Sequence, residues 1–350
     1  MTDGSAGPGK YSAARWNTVP VEVGRRVVVR RALTEEERSG GISQLATDVI
    51  GHVVSTEPFV VRPQLPGGKR AAADAPVVDF SEHEVLVIKA LPDRPVRNSD
   101  IRAVEVATAK AFPGIEHTWA GGWLMRAGDG ITERSNSAIP LGHSAGTTPV
   151  PLKDITEFYE RHELPVRIAV PDRLCKPAEQ LILGDGWTRG PEIVVMTRDV
   201  EDLPLPDVSL IHATFQSLDQ PDDEWLSLYH FRGQALPRKA LELLMTKIDG
   251  RMTFGRLVVD GQTVAITRGT LTDSDDGRTW MGFSAVEVAP DWRRKGLGTA
   301  LGLHMMHWGA QHGADAVYLQ VIATNEPGLA MYQGLGFAEQ HRHRYAEWTG

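Results

Sequence analysis

The stretch Arg293-Arg294-Lys295-Gly296-Leu297-Gly298-Thr299 sets three cations and two glycines directly after Val286-Glu287-Val288-Ala289-Pro290. A strand ending at Pro290 would run into this turn, and Leu297, Leu301, Met305 and Trp308 recur behind it at helical spacing. The turn is therefore expected at a helix N-terminus, with Gly313 near the helix end. The first N–H groups of a helix have no intrahelical partner and its dipole favours negative charge, so the chemistry on offer is the holding of a pyrophosphate. Gly296 and Gly298 would let phosphate oxygens approach the main chain, and Arg293, Arg294 and Lys295 would add charge. The spacing is neither that of a Walker loop nor that of the dinucleotide fingerprint G-x-G-x-x-G.

Behind the helix come a buried-strand pattern, Ala316 to Val321, then Asn325, Ala330, Tyr332 and the turn Gly334-Leu335-Gly336-Phe337. With this order the chain resembles the GCN5-related N-acetyltransferases (GNATs). Their pattern is a strand ending V-x-P, then R/Q-x-x-G-x-G/A, a second strand, and N-x-x-A-x-x-x-Y-x-x-x-G-F. The last part is looser here, keeping the order and the Tyr-to-Gly-Phe spacing. The match spans roughly residues 208 to 349. The resemblance implies an α/β (α+β) GNAT fold, acetyl-CoA as co-substrate and acetyl transfer to a primary amine. It implies that the backbone of Val286 to Val288 binds the acetyl carbonyl and pantetheine, and that residues Arg293 to Thr299 hold the pyrophosphate. Asn325 matches the residue that bonds the pantetheine arm or a water. Tyr332 matches the tyrosine that gives its proton to the coenzyme A thiolate, which a phenol of pKa about 10 can do near neutral pH. Glu287, the only carboxylate on that strand, is the candidate general base. His341 and His343 are the runners-up, and a chain of waters is the alternative.

The chain that must position these residues is 350 long, 41% hydrophobic and 23% charged, which suffices for two or three domains. A single cysteine, Cys175, excludes an internal disulfide framework and a cysteine metal cluster, and no metal is expected. No apolar run reaches the roughly 20 residues of a membrane span. Met1 to Thr18 is Gly/Ser-rich without an apolar signal core, and is expected as a disordered lead-in of a cytoplasmic protein. The net charge of −8 speaks against direct nucleic-acid binding and is compatible with a basic protein partner. A homo-oligomer stays open.

Residues 19 to 95 carry short valine-rich strands separated by Gly, Pro and acidic turns, which predicts a small SH3-like β-barrel closed against exposed edges, with a docking or oligomerisation role. Asn98-Ser99-Asp100 reads as a helix cap, with Ile101, Val104 and Ala111 on one face. From there to about 205 the order is helix, strand Gly122 to Arg126, strand Thr132 to Pro140, helix Leu152 to Arg161, strand Val166 to Val170 and strand Ile193 to Met196. Residues 207 to 350 repeat that order, with helices Trp225 to Phe231 and Pro237 to Ile248 and a hairpin at Asp260-Gly261. Two tandem GNAT-like units follow, 98 to 205 and 207 to 350. The first has Gly142 to Pro149 where the second has its cationic turn, so it is read as degenerate and as a wall for the acceptor site.

Over about residues 20 to 349 the chain also resembles an actinobacterial group assigned either as N-acetylglutamate synthases or as acetyltransferases of a histone-like nucleoid protein. Its distinguishing segments here are Trp123 to Arg126 and Arg134 to Ser137. Glutamate brings two carboxylates, so cations are needed, and arginine binds carboxylate bidentately. Arg126, Arg134, Asn136, Arg232 and Arg268 are the candidates, with Arg134 to Ser137 expected on the first unit's central strand. A lysine-rich protein acceptor would instead use Asp219, Asp222, Asp223, Glu224 and Asp273 to Asp276. A wall from the first unit suits a closed small-molecule pocket, which favours the glutamate that the resemblance implies, the first step of arginine biosynthesis. A non-catalytic acetyl-CoA sensor is the third possibility.

Overall fold

The computed structural model describes residues 21–39, 44–92, 95–206, 212–231, 234–235 and 238–350. Met1 to Thr18, Arg232 and Pro237 lie outside the described residues. The chain divides into two compact units, residues 1–96 and 97–350.

The first unit is an antiparallel β domain. Strands β1 (Arg26–Ala32), β2 (Ala46–Thr56), β3 (Phe59–Pro63), β4 (Val78–Asp79) and β5 (Val85–Ala90) pair in the order β4-β3-β2-β1-β5, with a short helix α1 (Glu35–Arg38) after β1. Alternation puts Val27, Val29, Val53, Val61 and Ile88 into one core with Phe59 and Phe80, so the sheet bends around a single apolar centre. Closure differs from expectation: among the described residues no ladder joins β4 to β5. A two-residue β4 offers little backbone to pair.

The second unit opens with α2 (Asn98–Ala111), whose cap is Asp100 accepting the amide of Arg97 at 2.9 Å. It buries Ile101, Val104 and Ala111 as predicted, and with them Glu105. Next come β6 (Glu116–Ala120), β7 (Trp123–Ala127), β8 (Ile139–Pro140), α3 (Leu152–Arg161), β9 (Arg167–Pro171), α4 (Lys176–Leu181), β10 (Trp187–Arg189) and β11 (Ile193–Asp199). The second half follows with β12 (Thr214–Leu218), α5 (Asp223–Leu228), β13 (His230–Phe231), β14 (Gln234–Ala235), α6 (Arg238–Lys247) and β15 (Arg251–Val259). It is completed by β16 (Gln262–Asp273), β17 (Thr279–Val288), α7 (Leu297–Gln311), β18 (Ala316–Ile322), α8 (Glu326–Gly334) and β19 (Ala338–Trp348). Asp260 and Gly261, at φ +49° and +80°, make the left-handed turn between β15 and β16.

A nine-stranded sheet runs β10-β19-β11-β18-β17-β16-β15-β12, with β9 on the other edge of β19. The last strand thus enters between β9 and β11, and the sheet crosses the divide expected near residue 205 without a break. The halves share hydrogen bonds as well as a packed face. Thr272 and Ser274 of β16 and the loop after it donate their hydroxyls to Ala107 O (3.0 Å) and Ala103 O (2.7 Å), fixing α2 over the second half's sheet.

Two expected elements are different. Only Ile139–Pro140 of the predicted strand Thr132 to Pro140 is strand; Thr132 to Ser137 form a turn. The helix predicted over Trp225 to Phe231 ends at Leu228, and Phe231 enters the β13-β14 pair.

Candidate active site

Strands β17 and β18 run parallel and pair only at Trp280↔Ala316, Met281↔Val317 and Gly282↔Tyr318. Beyond Gly282 they part, so β17 from Phe283 to Val288 has no partner strand on that side among the described residues. A bulge sits in this open stretch: Arg268 pairs with Ser284 but Ile266 pairs with Glu287, which inserts one extra residue. Ala285 takes φ +56° there, and Thr267 Oγ1 donates to Ser284 O at 3.0 Å to hold the kink. The splay frees main-chain donors at the centre of the sheet, and the bulge re-aims the side chains after Ser284.

At the end of β17 the chain turns through Arg294 at φ +62° and Gly296 at φ +80° into α7. Gly296 is the N-cap, no side chain caps the helix, and the first turn carries no acid. The starting N–H groups are thus left as a cationic, exposed nest suited to an anion. The two glycines differ in purpose. A Cβ on Gly296 would meet nothing within 4 Å, so the positive φ is its reason; a Cβ on Gly298 would meet Met331 Sδ at 2.9 Å, so that glycine admits α8 rather than phosphate. Arg293 turns back onto the strand, donating to Val288 O (3.0 Å) and Glu287 Oε1 (2.8 Å). Lys295 stands 4.6 Å over the Trp292 ring. Leu297 is buried and Thr299 exposed. On α8, Tyr332 packs against Phe283 and Phe337 with centroids 5.8 and 5.9 Å away. Burial pushes its phenol up, which keeps it protonated through neutral pH. The Asn325 Oδ1 accepts the Gly328 amide at 3.1 Å and so caps α8.

On the other side of the splayed strand lies a cavity of about 240 Å³, lined by Ser284, Ala285 and Val286 of β17 and by the loops after α2 and β7. Among the described residues, Arg134, Lys247 and Arg268 line it with one carboxylate, Asp129. Arg268 is 1% exposed, and its Nε and Nη1 have no hydrogen-bond partner among the described residues. Burial works against its charge more than anything nearby, and Arg134 adds to this; yet a guanidinium does not give up its proton. Both arginines stand over the Phe112 ring, Arg268 at 4.5 Å and Arg134 at 4.9 Å from the centroid. Arg134 is oriented by Gln320 Oε1 at 2.7 Å.

The splay, the bulge and the cationic helix start leave open backbone donors on β17 next to a turn suited to an anion. Residues 98–346 match the family model described as "Probable histone acetyltransferase Rv0428c C-terminal". The chain belongs to this family. It is a GCN5-related N-acetyltransferase. The probable histone acetyltransferase Rv0428c of Mycobacterium tuberculosis (strain ATCC 25618 / H37Rv) is 37% identical over 324 residues, covering 92% of this chain and 94% of that protein. The uncharacterized N-acetyltransferase YobR of Bacillus subtilis (strain 168) is 24% identical, covering 70% of this chain and 98% of its own. Among solved structures, a GCN5-related N-acetyltransferase from Kribbella flavida superposes with a TM-score of 0.56 at 13% identity, over 73% of this chain and 97% of that one. A tandem GNAT protein from the clavulanic acid biosynthesis pathway gives 0.50 at 16% identity, over 73% and 91%. These likenesses show the fold, and acetyl-CoA is the family's co-substrate.

Several candidates of the acetyltransferase stand elsewhere than expected. Arg126 is buried and donates to Phe112 O, Ser137 O and Ser137 Oγ at 3.3–3.4 Å; it supports the cavity wall and does not line it. Asn136 spends its amide on the turn, accepting from Gly128 and Gly130 N (2.8 and 3.1 Å) and donating to Thr132 O (2.8 Å). Both are corrections with one cause: a buried polar side chain must find hydrogen-bond partners, and Asn136 finds them in its own turn while Arg126, on β7, finds them in Phe112 and Ser137. Glu287 faces Arg293 and is not among the cavity's lining residues, whereas Val286 is. Asp222 and Glu224 bind Arg256 at 2.7 and 3.3 Å, and Asp273 accepts from Thr279 at 2.7 Å, so these acids hold local structure.

His341 and His343 are buried, both on Glu105 Oε1, at 2.8 and 2.9 Å. This joins β19 to α2. Burial alone would raise the Glu105 carboxyl, but His343 and His341 outweigh it and hold it well below the usual carboxylate range. A group depressed in the folded state contributes stability that is complete above its unfolded pKa of about 4.3 and is lost as pH falls below it. We expect Glu105→Ala to destabilise the unit by about 3–5 kcal/mol at pH 7, because two imidazoles lose their buried acceptor. Urea unfolding at pH 7 and pH 4 checks this, and a loss under about 1 kcal/mol with an unchanged pH slope would refute it.

Proposed function

We propose that this acetyltransferase moves the acetyl group of acetyl-CoA to the amine of a small acceptor bearing carboxylate, and that the acceptor is L-glutamate, at its α-amino group. The observation that carries the reading is Arg268, a buried guanidinium with open Nε and Nη1, lining a cavity beside the thioester strand together with Arg134 and Lys247. An unpaired buried charge is costly, and a bound carboxylate would offset that cost. In this reading the open backbone of Val286 to Val288 binds the thioester. The turn Arg293 to Thr299 holds the pyrophosphate, chiefly through Arg294, Lys295, Gly296 and the first N–H groups of α7. Tyr332 protonates the departing thiolate. Fixed backbone donors aimed at the developing oxyanion commonly supply more of the rate of acyl transfer than any other single effect.

A second reading rests on the name of the Mycobacterium tuberculosis relative, a probable histone acetyltransferase, which would make a lysine-rich nucleoid protein the acceptor. The charge of the cavity favours the first: among the described lining residues, three cations against one carboxylate repel a lysine ammonium. The test is release of free thiol from acetyl-CoA with L-glutamate, with a lysine-rich nucleoid protein, and with neither. We expect saturable release with glutamate. Release with the basic protein alone would replace the first reading by the second.

A further inference from the structure

The reaction needs a group to take the proton of the acceptor ammonium, and among the described residues the three candidates read from sequence are engaged elsewhere. Glu287 is paired with Arg293, and His341 and His343 are buried on Glu105. The cavity beside the thioester strand holds another imidazole. We infer that His230, which lines the cavity with Ser284 to Val286, is the general base that deprotonates the acceptor; the inference rests on the acyl-transfer reading of that cavity.

His230 is the first residue of β13, directly after α5 and Tyr229. Its Nδ1 lies 3.0 Å from Leu228 O. A carbonyl can only accept, so that contact places the proton on Nδ1 and leaves Nε2 as a lone pair. The ring is exposed, so a proton gained at Nε2 has a route to solvent. The charged and titratable groups lining the same cavity are Asp129 on the loop after β7, Arg134 on the following turn, Tyr229, Lys247 at the end of α6 and Arg268 on β16. Arg134 and Arg268 cannot act as bases. Asp129 already accepts the Ile131 amide on Oδ1 at 3.1 Å within its own turn.

The step balances. His230 Nε2 takes one proton from the acceptor ammonium and releases it to solvent. The freed nitrogen lone pair forms the C–N bond at the thioester carbonyl carbon and the C–S bond breaks. The thiolate takes the phenolic proton of Tyr332, and the second proton leaving the nitrogen restores that phenol through solvent. The net products are the N-acetyl compound, free coenzyme A thiol and one proton.

The test uses the full chain with acetyl-CoA and glutamate, comparing wild type, His230→Gln and His230→Ala. General-base catalysis is worth about 10²- to 10⁴-fold, so both variants should lose at least about 10²-fold in kcat, with acetyl-CoA affinity and thermal unfolding unchanged. Added imidazole should restore rate to His230→Ala, more so with more basic imidazoles, which a loss of packing cannot reproduce. Variants that keep the wild-type kcat, or a His230→Ala rate indifferent to imidazole, would overturn the assignment alone. A wild type that binds acetyl-CoA yet acetylates no small amine would overturn the acyl-transfer reading of the cavity, and the assignment with it.

Discussion

Tyr332→Phe is expected to lower kcat by about 10²- to 10⁴-fold with little change in acetyl-CoA affinity. The ring is wedged between Phe283 and Phe337, and phenylalanine keeps those contacts while removing only the proton. Because burial raises the phenol above its ordinary value, the wild type should keep its proton donor on the alkaline side rather than lose it near a pH of about 10. Steady-state thiol release together with calorimetric titration of acetyl-CoA decides the matter. An unchanged kcat would reduce Tyr332 to a packed aromatic.

Arg268→Met is expected to act in opposite directions on binding and on stability. A hydrogen bond to a charged partner is worth about 1.5–3 kcal/mol, so the KM for a carboxylate-bearing acceptor should rise about 10- to 150-fold. The free protein should meanwhile hold its stability or gain about 1–4 kcal/mol, because an apolar side chain replaces a buried charge that has open donors. Thermal unfolding without acceptor and acceptor saturation kinetics measure the two effects separately. A lower unfolding temperature with unchanged KM would make Arg268 a structural cation and remove the main support for a carboxylate acceptor.

The strand, turn and helix expected to carry the cofactor residues were largely legible in the amino-acid order. The succession of strand, cationic turn, helix and Tyr332 depends on residues close in the chain, where helix periodicity, glycine geometry and helix-start chemistry act locally. Leu297, Leu301, Met305 and Trp308 do lie on the buried face of α7. The purpose of Gly298 was not legible, because its neighbour Met331 comes from another helix.

The acceptor side was less legible, since each of its residues is defined by what folds against it. Arg126 and Arg268 look alike in the chain; one spends its donors on Phe112 and Ser137, the other has open nitrogens beside a cavity. His341 and His343 read as runners-up for the general base, yet β19 runs between β9 and β11 and lays both against Glu105. His230 gave no signal beyond its type. Its tautomer follows from a carbonyl two residues away, but the cavity it shares with Ser284 to Val286 follows from how segments some fifty residues apart pack. The sequence by itself determined the family, the co-substrate and the helix start, because local spacing encodes them. Which cation keeps open nitrogens, and which imidazole lines the cavity with β17, only the tertiary structure decided, because burial and partners are set by segments far apart in the chain, as Arg134 and Arg268 are.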